Sequence, residues 1–119
     1  MRNRFYLLST ALISLSLSAC APTPQQWFKR SQQAYQQQNY GTAFAYAQFA
    51  ARQGNVKAAY ALGYLYYYGT GTEANPVLAR RWIQRAAERG YRPAKNALTV
   101  LYNQATVAPH QERIPVPNA

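Results

Sequence analysis

Ala50-Ala51-Arg52-Gln53-Gly54-Asn55-Val56-Lys57-Ala58-Ala59-Tyr60-Ala61-Leu62-Gly63-Tyr64-Leu65-Tyr66 faces Ala86-Ala87-Glu88-Arg89-Gly90-Tyr91-Arg92-Pro93-Ala94-Lys95-Asn96-Ala97-Leu98-Thr99-Val100-Leu101-Tyr102 when the chain is written over itself at a spacing of 36 residues. Ala-Ala-x-x-Gly, Ala, Ala-Leu and Leu-Tyr recur in register. Upstream, Ala43, Tyr46 and Gln48 fall opposite Ala79, Trp82 and Gln84, so the copy spans a whole unit. A period in this range marks a solenoid of helical pairs, in which each unit buries its apolar face only against its neighbours. Such a scaffold binds far more often than it catalyses.

The punctuation around this core fits helix-turn-helix units. Gly54 and Gly90 sit where a left-handed residue closes a helix, and Asn55, Asn75-Pro76 and Pro93 sit where the next one opens. Helices are therefore expected over about 56–68, 76–89 and 93–106. Before them, Trp27, Phe28, Ala34 and Tyr35 among glutamines predict a first helix over about 25–38, although a Gln-rich stretch also suits disorder. Asn39-Tyr40-Gly41 reads as a tight turn, and the alanine- and aromatic-rich stretch from Thr42 to Gln53 as a central helix. Pro22 and Pro24 mark a non-helical tether. Beyond Thr106, Pro109, Pro115 and Pro117 with few apolar residues predict a disordered tail over 107–119, or an extended segment that docks. The expected fold is all-α, a short solenoid of about five helices and two and a half repeats over 25–106.

Ala58, Leu62-Gly63, Leu65-Tyr66, Gly69-x-Gly71, Ala79, Trp82, Ala86-Ala87 and Gly90 together resemble one nearly complete unit of the Sel-one-like repeats, relatives of the tetratricopeptide repeats. Thr72, Asn75 and Thr99 depart from that pattern, where an aliphatic residue, Asp and Gly are usual. The resemblance implies a right-handed superhelical scaffold for protein–protein contact, without chemistry of its own.

The first 19 residues read as an export signal. Arg2 and Arg4 form a basic start, and Phe5 through Leu17 an apolar run too short to span a membrane comfortably. Leu17-Ser18-Ala19-Cys20 resembles the lipobox of bacterial lipoproteins, which implies cleavage before Cys20 and acylation of that residue, palmitate included. An ordinary secretory signal or an uncleaved anchor is the alternative. Residues 20–24 would then be acylated cysteine and tether. Ala21 stands where an Asp would, by the same resemblance, favour the inner membrane, so the expected location is the periplasmic face of the outer membrane, ahead of the inner membrane or the cell surface. A lipidated Cys20 leaves no thiol for a disulfide, a nucleophile or a metal. The covalent lipid is the only group expected to be bound.

Charge is the second informative feature. The chain has 13 Lys and Arg against three acids, and five arginines fall between Arg80 and Arg92. On a helical wheel Arg80, Arg81, Gln84, Arg85, Glu88 and Arg89 take one half, and Ala79, Trp82, Ile83, Ala86 and Ala87 the other. Arg80, Arg81, Arg85, Arg89 and Arg92 are thus a candidate basic face, either a solvated surface or a patch for an anionic polymer such as polysaccharide, lipopolysaccharide or DNA. Attachment to a membrane does not need it. Anionic lipid attracts a basic residue with about 1 kcal/mol, while each buried acyl methylene contributes about 0.8 kcal/mol.

The third feature is tyrosine. With Ala58, Leu62, Leu65 and Tyr66 at core positions of the repeat, Tyr60, Tyr64 and Tyr67 form a separate stripe at four- and three-residue spacing. The first helix of each pair lines the concave face, as the resemblance implies. These three are candidate partner-binding residues, since a tyrosine offers a rigid ring with a hydroxyl at its tip. Packing against a neighbouring helix is the competing reading, stronger for Tyr60 than for Tyr64 and Tyr67.

Catalysis is not expected. Gly69-Thr70-Gly71 is too short for a phosphate-binding fingerprint and follows a helix. His110 is the single histidine and lies among prolines, and Glu73, Glu88 and Glu112 give no carboxylate pair. The chain is expected to be a lipid-anchored adaptor for a protein partner in an envelope or export assembly, with binding of an anionic polymer as the alternative. No small-molecule substrate is implied.

Overall fold

The computed structural model describes residues 21–106 and 114–117, so Cys20, His110 and the segment before Ala21 lie outside the described residues. Among the described residues five helices follow one another: α1 (Pro24–Gln36), α2 (Tyr40–Arg52), α3 (Val56–Tyr68), α4 (Pro76–Glu88) and α5 (Arg92–Thr106). The main contacts join α1 to α2, α2 to α3, α3 to α4 and α4 to α5, the nearest-neighbour stacking of an all-α repeat solenoid.

Each helix is delimited by chemistry visible at its ends. Thr23, Asn39, Asn55 and Asn75 are the N-caps, each accepting through its side-chain oxygen from the backbone N–H three residues on, at 2.8 Å for Asn55 and 3.0 Å for Asn75. Thr23 and Gln26 complete a reciprocal capping box, at 3.2 and 2.9 Å. At the far ends, Asn39, Asn55, Thr70 and Tyr91 each donate a backbone N–H to the carbonyl five residues back, at 2.9, 3.0, 2.9 and 3.0 Å. These are four closures of one type, with the preceding residue left-handed: Gln38, Gly54, Gly69 and Gly90.

Two expectations are corrected here. Pro24 is not tether but the first residue of α1, where its fixed φ and missing N–H suit a helix start. The turn after α1 is Gln37–Asn39 rather than Asn39-Tyr40-Gly41: Asn39 caps α2, which already includes Tyr40. Gln38 takes the left-handed place at φ 61° that glycine takes elsewhere, which hides the cap from a search for glycine.

The core is built on small residues. Ala43, Ala47, Ala50, Ala58, Ala79, Ala86, Ala94 and Ala97 are fully buried, together with Tyr60, Leu62 and Ile83. Alanine brings helix axes close, and α3 and α4 come into tight contact at Gly63. A Cβ there would lie 2.6 Å from Cγ1 of Ile83 and 2.9 Å from the carbonyl oxygen of Ala79. The equivalent approach in the first unit is made by Ser31, whose hydroxyl donates to the carbonyl of Ala43 at 2.7 Å.

Ser31 and Gly63 are 32 residues apart, whereas Ala43 and Ala79 are 36 apart. The four extra residues sit in the loop of the second unit, seven residues between α3 and α4 against three between α1 and α2. This shift is why the first helix matches loosely when the chain is compared with itself at one fixed spacing.

Candidate functional site

The C-terminal segment is not disordered where it is described. Ile114 is only 2% exposed and belongs to the core, and Val116 and Pro117 lie against α1 and α3. The disorder expected for 107–119 therefore fails for Ile114–Pro117, and the alternative of an extended docked segment describes them. Sparse apolar composition misleads here, because a single isoleucine inserted into the core anchors the segment.

Two tyrosine hydroxyls hold it. Tyr60, on α3, donates to the carbonyl of Pro115, and Tyr91, just before α5, donates to the carbonyl of Pro117 at 3.3 Å. The two acceptors are two residues apart along the segment. The rings meet edge to face, with centroids 5.5 Å apart. Tyr60 is wholly buried, which holds its phenol well above the usual range; nearby Tyr91, Tyr64 and Tyr68 push in the same direction. Burial raises Tyr91 as well. Both groups stay protonated and serve as donors at any physiological pH.

The tyrosine stripe thus divides into three roles. Tyr60 packs in the core and bonds the C-terminal segment. Tyr67 donates to Oε1 of Gln104 at 3.0 Å, tying α3 to α5. Tyr64, half-buried and 4.7 Å from the ring of Tyr68, lines a small apolar cavity of about 30 Å³ with Phe28, Tyr35, Leu65, Val116 and Pro117. Pro117 also borders a cleft of about 590 Å³ between the starts of α1 and α3, edged by Gln25, Lys57 and Tyr91.

Tyr91 was not singled out from the sequence. It stands 36 residues after Asn55, in the cap position of the second copy, where its side chain has no oxygen placed to cap α5. The departure from the repeat is the signal: a cap has been exchanged for a hydroxyl that reaches the groove.

The candidate basic face is exposed throughout, but it is not one surface. Arg80 and Arg81 edge a cleft of about 520 Å³ with Tyr67, Val77, Leu101 and Gln104. Arg85 and Arg89 edge another of about 400 Å³, with Arg52, Trp82 and Glu88. The guanidinium of Arg85 lies 4.7 Å over the Trp82 ring, and Arg89 donates to the carbonyl of Gly54 at 2.9 Å. Arg92 is exposed at the first position of α5.

The Sel1 repeat model matches residues 30–55 and 56–91, just over half of the chain. The chain belongs to the Sel1 repeat family. Its second match coincides with α3, α4 and their closing turn; its first begins within α1, short of the Thr23 cap. Chitin synthase regulatory factor 3 of Schizosaccharomyces pombe is 35% identical over 72 residues, 60% of this chain and 8% of that protein. Chitin synthase regulator SKT5 of Malassezia restricta is 42% identical over 59 residues, 50% of this chain and 4% of that protein. The chain therefore spans less than a tenth of the length of either relative. No solved structure matches it. Sel1 repeats form helical scaffolds suited to protein–protein contact.

Proposed function

We propose that this Sel1 repeat protein is a lipid-anchored adaptor at the periplasmic face of the outer membrane, acylated at Cys20, which presents the α1–α3 groove to a protein of an envelope or export assembly. The observation that carries the binding role is that the groove already receives an extended segment, through an apolar anchor and two hydroxyl donors. The anchor rests on the basic start, the short apolar run and the single cysteine that ends it. Regulation of chitin synthase is named for the two relatives, and what carries over from so small a share of each is the scaffold. The role is one of holding, without catalysis.

Photo-crosslinking in cells from a residue placed at Tyr64, with a second probe at Arg85, tests this. A discrete protein captured from Tyr64 and identified as an envelope component is the expected result. No discrete product at near-physiological salt would refute the adaptor.

A second reading is favoured by one observation: Arg52, Arg85 and Arg89 converge on one cleft in which Glu88 is the only acid. It is that the outer face of α4 binds an anionic polymer. Capture only from Arg85, as a heterogeneous product lost at high salt, would favour it.

A further inference from the structure

The segment Ile114-Pro115-Val116-Pro117 consists of two aliphatic-proline pairs, and its chemistry matches the groove at each point. Proline has no N–H, so along these four residues the backbone presents mainly carbonyl oxygens. The groove offers hydroxyl donors in return: Tyr60 to Pro115 and Tyr91 to Pro117. Ile114 and Val116 each precede a proline, which confines them to extended conformations, so the segment loses little conformational freedom on docking. Ile114 is swallowed by the core, while Val116 and Pro117 cover a small apolar cavity against α1 and α3 without filling it. Pro117 also borders the larger cleft between the starts of α1 and α3.

We infer that the α1–α3 groove is a receptor for an extended aliphatic-proline segment of a partner protein, and that Ile114–Pro117 is this chain's own competitor for it. The inference rests on the adaptor reading and gives the partner a chemistry: an accessible stretch of aliphatic residues alternating with prolines. The competitor is joined to α5 by the seven residues 107–113, so its effective concentration at the groove is on the order of millimolar. A partner must outbid it, and the groove stays covered in the partner's absence. Tyr91, in place of the repeat's asparagine cap, is the specialisation that makes the second hydrogen bond.

The test titrates the full-length chain with a fluorescein-labelled peptide of residues 111–119 and follows anisotropy. The wild-type chain should bind weakly, because its groove is filled. Ile114→Asp, which expels the tail, should bind saturably and at least ten-fold more tightly. Adding Tyr60→Phe and Tyr91→Phe should weaken that binding several-fold, and so should alanine at both proline positions of the peptide. Ile114→Ala, which buries no charge, serves if the aspartate variant does not fold, and must also bind more tightly than wild type. Helical variants that bind no better than wild type overturn the inference. So does a concentration-dependent wild-type dimer that Ile114→Asp converts to monomer, since the tail would then dock between copies. The adaptor reading fails separately. If Ile114→Asp binds the peptide but Tyr64 captures no protein in cells, the groove chemistry stands and the adaptor falls; equal capture of one protein by wild type and Ile114→Asp, with no peptide binding, does the reverse.

Discussion

Tyr60 shows how one side chain serves both core and groove. Its ring is part of the packed interior, and its hydroxyl, fully buried, has its acceptor on Pro115. Tyr60→Phe keeps the ring and removes one hydrogen bond, so unfolding in urea should show a loss of about 1 kcal/mol. The same residue gives a pH signature. Its folded-state value lies above the ordinary 10.0, so the folded chain keeps its proton while the unfolded chain ionises. This stability is complete below about pH 10 and drains away as the pH rises from there. Thermal melts should be flat through neutral pH and fall in alkali, less steeply for Tyr60→Phe. Gly63 is the second informative residue. Alanine there gains about 1 kcal/mol of helix propensity, yet its methyl would collide with Ile83 and with backbone at Ala79. A net loss of about 1–2 kcal/mol is expected in the same assay, since overpacking costs about 1–3 kcal/mol.

At the scale of the element, α1 to α4 are each 13 residues long, and each is opened by a side-chain oxygen that accepts from the N–H three residues on. Asn39, Asn55 and Asn75 each accept through the side chain from a backbone N–H in the first turn of the helix that follows. Asn55→Ala should therefore cost about 1 kcal/mol, and somewhat more than Asn39→Ala, whose cap bond is longer at 3.4 Å against 2.8 Å. The outer face of α4 carries a different expectation. Arg85→Glu with Arg89→Glu removes the stacking on Trp82 and the bond to Gly54, both exposed, so stability should change little. Retention on heparin, by contrast, should drop sharply and its salt dependence flatten if that face binds anionic polymer. The positions of α3, α4 and α5 were legible because the same residues recur at 36. Those of α1 and the start of α2 were less so, since a three-residue loop replaces a seven-residue one and Gln38 replaces a glycine.

For the whole molecule, two isoleucines make the same demand on the core and should answer differently. Ile83 and Ile114 are both fully buried. Ile83→Ala leaves a cavity between two helices that cannot separate without unfolding, and should cost about 2–5 kcal/mol. Ile114→Ala should cost less, because the loss is capped by the free energy of undocking the tail. Hydrogen exchange should show α3 and α4 still protected in Ile114→Ala and opened in Ile83→Ala. The sequence by itself determined the repeat, the helical pairs, the caps at Asn55 and Asn75 and the split of α4 into apolar and basic faces, because each depends on periodicity or on a side chain a few residues from what it satisfies. Only the tertiary structure decided that Tyr60 belongs to the core, that Tyr67 binds Gln104, and that Ile114–Pro117 returns across 55 residues to Tyr60. Those contacts join residues far apart along the chain, and neither a period nor a local motif records which carbonyl a hydroxyl meets after the helices have stacked.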